Sequence, residues 1–152
     1  MIGLLQRVLE ASVTIDGQIV AYIESGLLVF VGVERGDDEP VAERLAERLL
    51  AYRVFADGTG RMNLSVVDVR GGVLLVPQFT LAADTDRGTR ASFTKSAEPG
   101  MGREMFDRLV AQSAKRHAPV LTGRFGADMK VALVNDGPVS FLLRVPPTTQ
   151  HS

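Results

Sequence analysis

The chain has 152 residues, 45% of them hydrophobic and 23% charged, and a formal net charge of −1. That length and balance suit one globular domain with a core of its own. The absence of cysteine excludes disulfides, thiolate-bound zinc and a cysteine nucleophile, and so small a net charge suits a partner nucleic acid only if a short end of it is held.

Residues 1–15 read as a strand, carried by Ile2, Leu4, Leu5, Val8, Leu9, Val13 and Ile15. Arg7 is a cation on that otherwise apolar strand. Either its head reaches water at a strand edge, or its fork holds a carbonyl or a loop elsewhere. Asp16-Gly17 is a hairpin signal. Gln18 to Ile23 returns, Ser25-Gly26 turns again, and Leu27 to Val33 is a buried strand. Three strands in series with short turns predict an antiparallel or mixed sheet.

Asp37-Asp38-Glu39-Pro40 opens a helix, with aspartate as the cap and proline in the first turn. Val41, Leu45, Leu49 and Tyr52 share one face, and Glu43, Arg44, Glu47 and Arg48 make the wet one. Asp57-Gly58-Thr59-Gly60-Arg61 reads as a plain turn, since no Lys-Ser/Thr completes a phosphate loop. Leu64 to Val69 leads into Val73-Leu74-Leu75-Val76, an apolar run expected of a strand covered on both faces.

Pro77 then removes a backbone donor. If the strand continues, Gln78 and Thr80 point to one side and Phe79 to the other. Such a polar pair either stitches a strand end to neighbouring backbone or does chemistry, because burying it unpaired is costly. The loop from Asp84 to Ser96 carries Arg87, Arg90 and Lys95 with no acidic residue between 87 and 95. It is either a solvated loop or a phosphate-facing one. A second helix follows Pro99, with Met105, Phe106, Leu109, Val110 and Ser113 on its buried face. Leu121 to Phe125 reads as a short strand. Lys130 to Val134 is a strand, Asn135-Asp136-Gly137-Pro138 breaks it by turn chemistry, and Val139 to Val145 is the last strand. Residues 146–152 are expected to be a flexible tail.

The histidines are His117 and His151, and neither has a carboxylate beside it in sequence. A Ser-His-Asp triad and a histidine-rich metal site are therefore not expected. No apolar run reaches membrane-spanning length. The first seven residues lack a signal-peptide pattern, so a cytoplasmic location is expected.

Two stretches, Pro77-Gln78-Phe79-Thr80-Leu81 and Asn135-x-Gly137-Pro138-Val139-Ser140, resemble the D-aminoacyl-tRNA deacylases, also called D-tyrosyl-tRNA(Tyr) deacylases. Gln6-Arg7-Val8, Ala11-Ser12-Val13, Asp16-Gly17, Phe55 to Asn63 and Ser92-Phe93 resemble that family as well, so the likeness runs from residue 1 to about 145. Two positions depart from it. The family's first motif usually begins with Ser where Pro77 stands, and its second usually ends in Thr where Ser140 stands.

The resemblance implies a single α/β domain over residues 1–145: a mixed, largely antiparallel, barrel-like sheet with two main helices. It implies hydrolysis of the ester between a D-amino acid, or glycine, and the terminal adenosine of tRNA, with no cofactor and no metal. Gln78, Phe79 and Thr80 would be catalytic. Pro77, Gly137, Pro138 and Arg7 would bind substrate, with a cis Gly137-Pro138 reaching into a partner subunit's site and Arg7 holding its loop. The partners implied are the aminoacyl-tRNA acceptor end and a second copy of the chain. Two other readings are a non-catalytic module that holds a nucleotide end, and an ordinary Ser/Thr esterase acting through Thr80.

Overall fold

The computed structural model describes residues 1–148. Most of the expected tail, residues 149–152 with His151, lies outside the described residues. Within it, Pro147 is buried and the Thr148 hydroxyl donates to Asp38 at 2.6 Å.

Among the described residues, eight strands and two α-helices form one mixed α/β domain. Strand β1 (Ile2–Ile15) is the longest element of the N-terminal half. It turns at Asp16 and Gly17, whose φ angles of 50° and 76° fit a type I′ hairpin, into β2 (Gln18–Ile23). Then comes β3 (Gly26–Gly32). The expected reversal at Ser25-Gly26 does not occur. Ala11 pairs with Ile23 and Val8 with Gly26, in one unbroken antiparallel register. Thus β2 and β3 share one edge of β1 and form a single long partner with a bend between them.

Helix α1 (Glu39–Ala51) starts where the sequence predicts: Asp38 Oδ1 accepts from the Val41 N–H at 3.2 Å. Strands β4 (Phe55–Ala56) and β5 (Met62–Leu64) form a small separate hairpin around the 57–61 turn. Strand β6 (Gly72–Pro77) runs parallel to β3. Helix α2 (Pro99–Ala114) precedes β7 (Val120–Thr122), which lies parallel to β6 and is shorter than expected. The last strand, β8 (Lys130–Arg144), pairs antiparallel with the other edge of β1. The predicted break at residues 135–138 is instead a bulge within one strand.

Alternation along the strands sorts the core into two clusters. Leu5, Leu27, Val29, Val31, Val73 and Leu75 face the two helices and meet Leu45, Leu49, Phe106 and Leu109. Each such side chain contributes roughly 1.5–3 kcal/mol on burial. The intervening residues Leu28, Leu74 and Val76 join Val13, Ala21 and Ile23 in a second cluster. β2 lies against β6 and β7 across that cluster, which gives the sheet its curled, barrel-like form.

One close approach fixes where β6 sits. A Cβ built on Gly26 would lie 2.0 Å from the Gly72 carbonyl oxygen. The two glycines bring β3 and β6 together at the start of their pairing, five residues before Val31 meets Pro77.

Candidate active site

Pro77 ends β6, and the Gln78 N–H still reaches the Val31 carbonyl at 2.7 Å, one bond beyond the paired strands. From there the chain does not continue as a strand. Phe79–Ala82 is a turn of 3-10 helix, with Leu81 N–H bonded to Gln78 O and Ala83 N–H to Thr80 O, both at 3.2 Å. The expectation that Gln78 and Thr80 share one side of a strand is therefore corrected. They meet through the turn instead, with Gln78 Nε2 donating to Thr80 Oγ1. The turn lies flat on Gly32, where a Cβ would stand 2.9 Å from Leu81 Cβ and 3.2 Å from the Ala82 nitrogen.

A tight turn leaves its first N–H groups unpaired. Those of Phe79 and Thr80 have no hydrogen-bond partner among the described residues. Phe79, but not Thr80, lines a cleft of about 290 Å³, together with Val31, Val33, Pro77, Gln78, Ala97, Pro99, Gly102, Phe106, Phe125 and Gly126. A second hollow of about 280 Å³ shares Pro77, Gln78, Phe79 and Gly126, and adds Met129, Val131 and Asp128. Pro77 to Phe79 is thus a ridge between two hollows. No ionisable side chain lines the first, and Asp128 is the one acid in the second. His117 is bonded to the Gly71 carbonyl at 2.6 Å, at the opposite end of β6, so it does not serve Thr80.

The second stretch is held by side chains on two strands. Between Gln6 and Glu10, β1 is opposed by Val134 to Ser140, two residues more than it supplies. That bulge contains Gly137-Pro138, whose peptide bond is cis, and Gly137 has a φ of 136°. Arg7 is only 15% exposed and braces it. Its Nε donates to the Asp136 carbonyl at 3.0 Å, and its Nη1 to the Val54 carbonyl at 2.7 Å, just after α1. Asn135 Oδ1 accepts from the Val139 N–H at 2.7 Å, and its amide donates to Ser140 Oγ at 3.0 Å. Gln6 Nε2 donates to the same hydroxyl at 3.2 Å. Gln6, Asn135 and Ser140 entered the sequence reading only as residues of the resembling stretches, with no role given, and Gly32 was not singled out. A polar residue facing a polar one across β1 and β8 was the available signal.

Within one chain the two stretches stay apart. Arg7 pairs with Leu27, and Leu27 with Val73, four residues before Pro77 on β6. That is about 13 Å along the strands, with β1 and β3 between. Neither Gly137 nor Pro138 lines either hollow.

At the rim of the ridge, Phe79 is 64% exposed and its ring meets that of Phe93 with centroids 5.5 Å apart. Arg87, Arg90 and Lys95 are all exposed in the loop that carries Phe93, and Lys95 reaches Asp84 at 3.5 Å.

Backbone donors without partners thus sit on a ridge whose two hollows hold one ionisable side chain, Asp128. The comparisons give the lineage. A family model described as D-Tyr-tRNA(Tyr) deacylase matches residues 4–144. The D-aminoacyl-tRNA deacylase of Thioalkalivibrio sulfidiphilus is 62% identical over 147 residues, 97% of this chain and 99% of that one. That of Nitrosococcus oceani is 58% identical over 150 residues, 99% and 97% of the two chains. A solved structure named c-Myc DNA Unwinding Element Binding Protein superposes with a TM-score of 0.92 at 32% identity, covering 96% of this chain and 99% of its own. The fold also matches a structure described as a probable eukaryotic D-amino acid tRNA deacylase, with a TM-score of 0.79 at 15% identity, over 93% and 97% of the two chains. The chain belongs to the D-Tyr-tRNA(Tyr) deacylase family.

Proposed function

We propose that the chain hydrolyses the ester bond of D-aminoacyl-tRNA, releasing the free D-amino acid and tRNA, in the cytoplasm and as a homodimer. The observation that carries this is the pair of unpaired N–H groups at Phe79 and Thr80, on a turn whose Gln78 and Phe79 line a cleft without ionisable side chains, in a chain 62% identical to a protein of that name.

An aminoacyl ester next to a ribose hydroxyl is already reactive, so orientation and oxyanion stabilisation are the main requirements. Water adds to the ester carbonyl. The developing oxyanion takes hydrogen bonds from the Phe79 and Thr80 N–H groups. The bond to the ribose oxygen then breaks, and that oxygen leaves as a hydroxyl carrying the proton that the attacking water gives up. Gln78 and Thr80, joined by their own hydrogen bond, position the water and the terminal adenosine. A threonine hydroxyl without a base is a weak nucleophile, which favours this role for Thr80 over an acyl-enzyme. No step requires a metal or a redox cofactor.

Selection falls to Gly137 and Pro138 of a second copy. Their carbonyl oxygens would accept from the substrate ammonium and press against an L side chain. The separation of the two stretches within one chain supports a site completed by a partner. So does the outer face of the sheet, where Leu142, 64% exposed, pairs with Leu4, and Leu4 with Phe30. Glycine has no side chain to exclude, so glycyl-tRNA is a second substrate. Pro77 offers no hydroxyl to the pocket wall, so L-alanine is the first L residue expected to leak through.

Cleavage of D-Tyr-, L-Tyr-, Gly- and L-Ala-tRNA measured side by side tests the reading. Rapid turnover of the first and third, with L-Tyr spared, is expected. Equal rates on D- and L-tyrosine would falsify the chiral mechanism. The 32%-identical neighbour is named for DNA binding, and binding without any turnover would favour a non-catalytic nucleic-acid module instead.

A further inference from the structure

The Phe79–Phe93 pair is not accounted for by ester hydrolysis. Phe93 is 45% exposed and Phe79 64%, and their rings meet at 5.5 Å with planes 40° apart. Two phenylalanines in contact with each other and largely with water gain little from folding. They present aromatic faces at the rim of the cleft.

The loop that supplies Phe93 is a built hairpin. Asp84 and Ser92 exchange two backbone hydrogen bonds of 2.7 and 2.9 Å. Gly88, with φ +68°, lets the tip turn. The bridge closes one residue before Phe93, so Arg87 and Arg90 project from a loop whose base is pinned beside Phe79. Both are exposed, and neither makes an ion pair among the described residues. No acidic residue falls between Arg87 and Ala97 on a molecule whose net charge is −1. Asp84 and Asp86 offset the two arginines over the whole hairpin, but Asp84 is engaged at its base by Lys95 and the Asp86 N–H, so the cationic character is confined to the tip from Arg87 to Arg90, which suits a phosphate chain.

This rim gives a nucleotide whose ester lies beside Phe79 an open path for the rest of its strand. We propose that Phe79 and Phe93, with Arg87 and Arg90, form a landing strip for the single-stranded 3′ end of tRNA. The rings stack a base upstream of the terminal adenosine, and the arginines pair with the phosphates on either side of it. This rests on the hydrolytic reading above and adds to Phe79, whose backbone serves the chemistry, three residues that only bind substrate: Phe93, Arg87 and Arg90.

Phe93→Ala and the double variant Arg87→Ala/Arg90→Ala test it, each assayed on D-Tyr-tRNA and on D-tyrosyl-adenosine, which lacks the upstream strand. Phe93→Ala is expected to raise KM for the tRNA about tenfold, the lower range for one stacked base, with kcat unchanged. The arginine variant should flatten the dependence of log(kcat/KM) on log salt by about 1.4, for two phosphates on a single strand. Neither should alter cleavage of D-tyrosyl-adenosine. Equal losses on both substrates, or no loss on the tRNA, would overturn the landing strip. Anisotropy with a short single-stranded RNA of the tRNA 3′ sequence supplies an arm independent of turnover. If the native protein cleaves neither ester, the hydrolytic reading fails. Weaker RNA binding by Phe93→Ala than by the native protein would still support the strip, and unchanged binding would reject it.

Discussion

Arg7 holds Asp136 from across the sheet: its Nε lies 3.0 Å from the Asp136 carbonyl oxygen and 3.5 Å from the carboxylate Oδ2. A second donor of the same guanidinium reaches the Val54 carbonyl. One mostly buried side chain thus ties the bulge of β8 to the segment after α1. A lysine would keep the charge and lose the fork. Arg7→Lys is expected to cost about 1.5–3 kcal/mol, the range for a hydrogen bond to a charged group. The loss should show as a lower thermal midpoint and as a smaller ratio of D-Tyr- to L-Tyr-tRNA cleavage. An unchanged ratio in a destabilised variant would make Arg7 purely structural.

Thr80→Ala keeps the backbone N–H and loses the hydroxyl that Gln78 contacts. Turnover should fall by less than the ~10²–10³-fold that loss of a whole oxyanion donor costs. Clear residual activity is expected in single-turnover assays. A trapped acyl group on Thr80, or complete inactivity in a folded Thr80→Ala protein, would favour the esterase reading.

Leu142 offers the simplest probe of assembly. It is 64% exposed on the sheet face that the helices do not cover. Leu142→Arg should leave the chain folded, turn the proposed dimer into monomers in sedimentation, and abolish turnover with it. A dimer that survives the substitution would place the interface elsewhere.

Much of this was legible in advance, and the reasons differ by element. The Asp38 cap, the Asp16-Gly17 hairpin and the apolar runs of β3 and β6 are local signals that tertiary packing agrees with. The 3-10 turn at Phe79–Ala82 was not legible, because Gln-Phe-Thr-Leu alternates as a strand does. What bends it is Gly32, far away in sequence, which leaves room for Leu81. The continuity of β8 was hidden by a strong turn signal. Asn-Asp-Gly-Pro would reverse a free chain, but here β1 pairs on both sides of it and Arg7 clasps its middle. The register that carries across the junction of β2 and β3 along β1 was likewise a tertiary fact, since Ser25-Gly26 reads equally well as a bend or a reversal.

The turn at residues 57–61 makes acid stability testable. The Asp57 carboxylate accepts from the Thr59 hydroxyl, the Asn63 amide and the Thr59 and Arg61 N–H groups. These donors hold its pKa well below the usual carboxylate range, the Thr59 hydroxyl most of all. A depressed pKa gives stability that is full above the unfolded value, about 3.9, and is lost as pH falls through the folded one. Asp57→Ala should therefore lower the thermal midpoint near pH 7, and the gap to the native protein should close in strong acid. A gap independent of pH would mean that the ionised carboxylate is not what orders the turn.

The contact of Gly26 with Gly72 has a consequence at the other end of the same strands. A methyl group at Gly26 would meet the Gly72 carbonyl at 2.0 Å, and backbone cannot yield as a flexible side chain does. β6 would have to swing away from β3 as a lever, and its far tip carries Pro77, Gln78 and the two free donors. A screen scoring only turnover would group Gly26 with the chemical residues, although it is a pivot, and the defect would be one of aim rather than of reactivity.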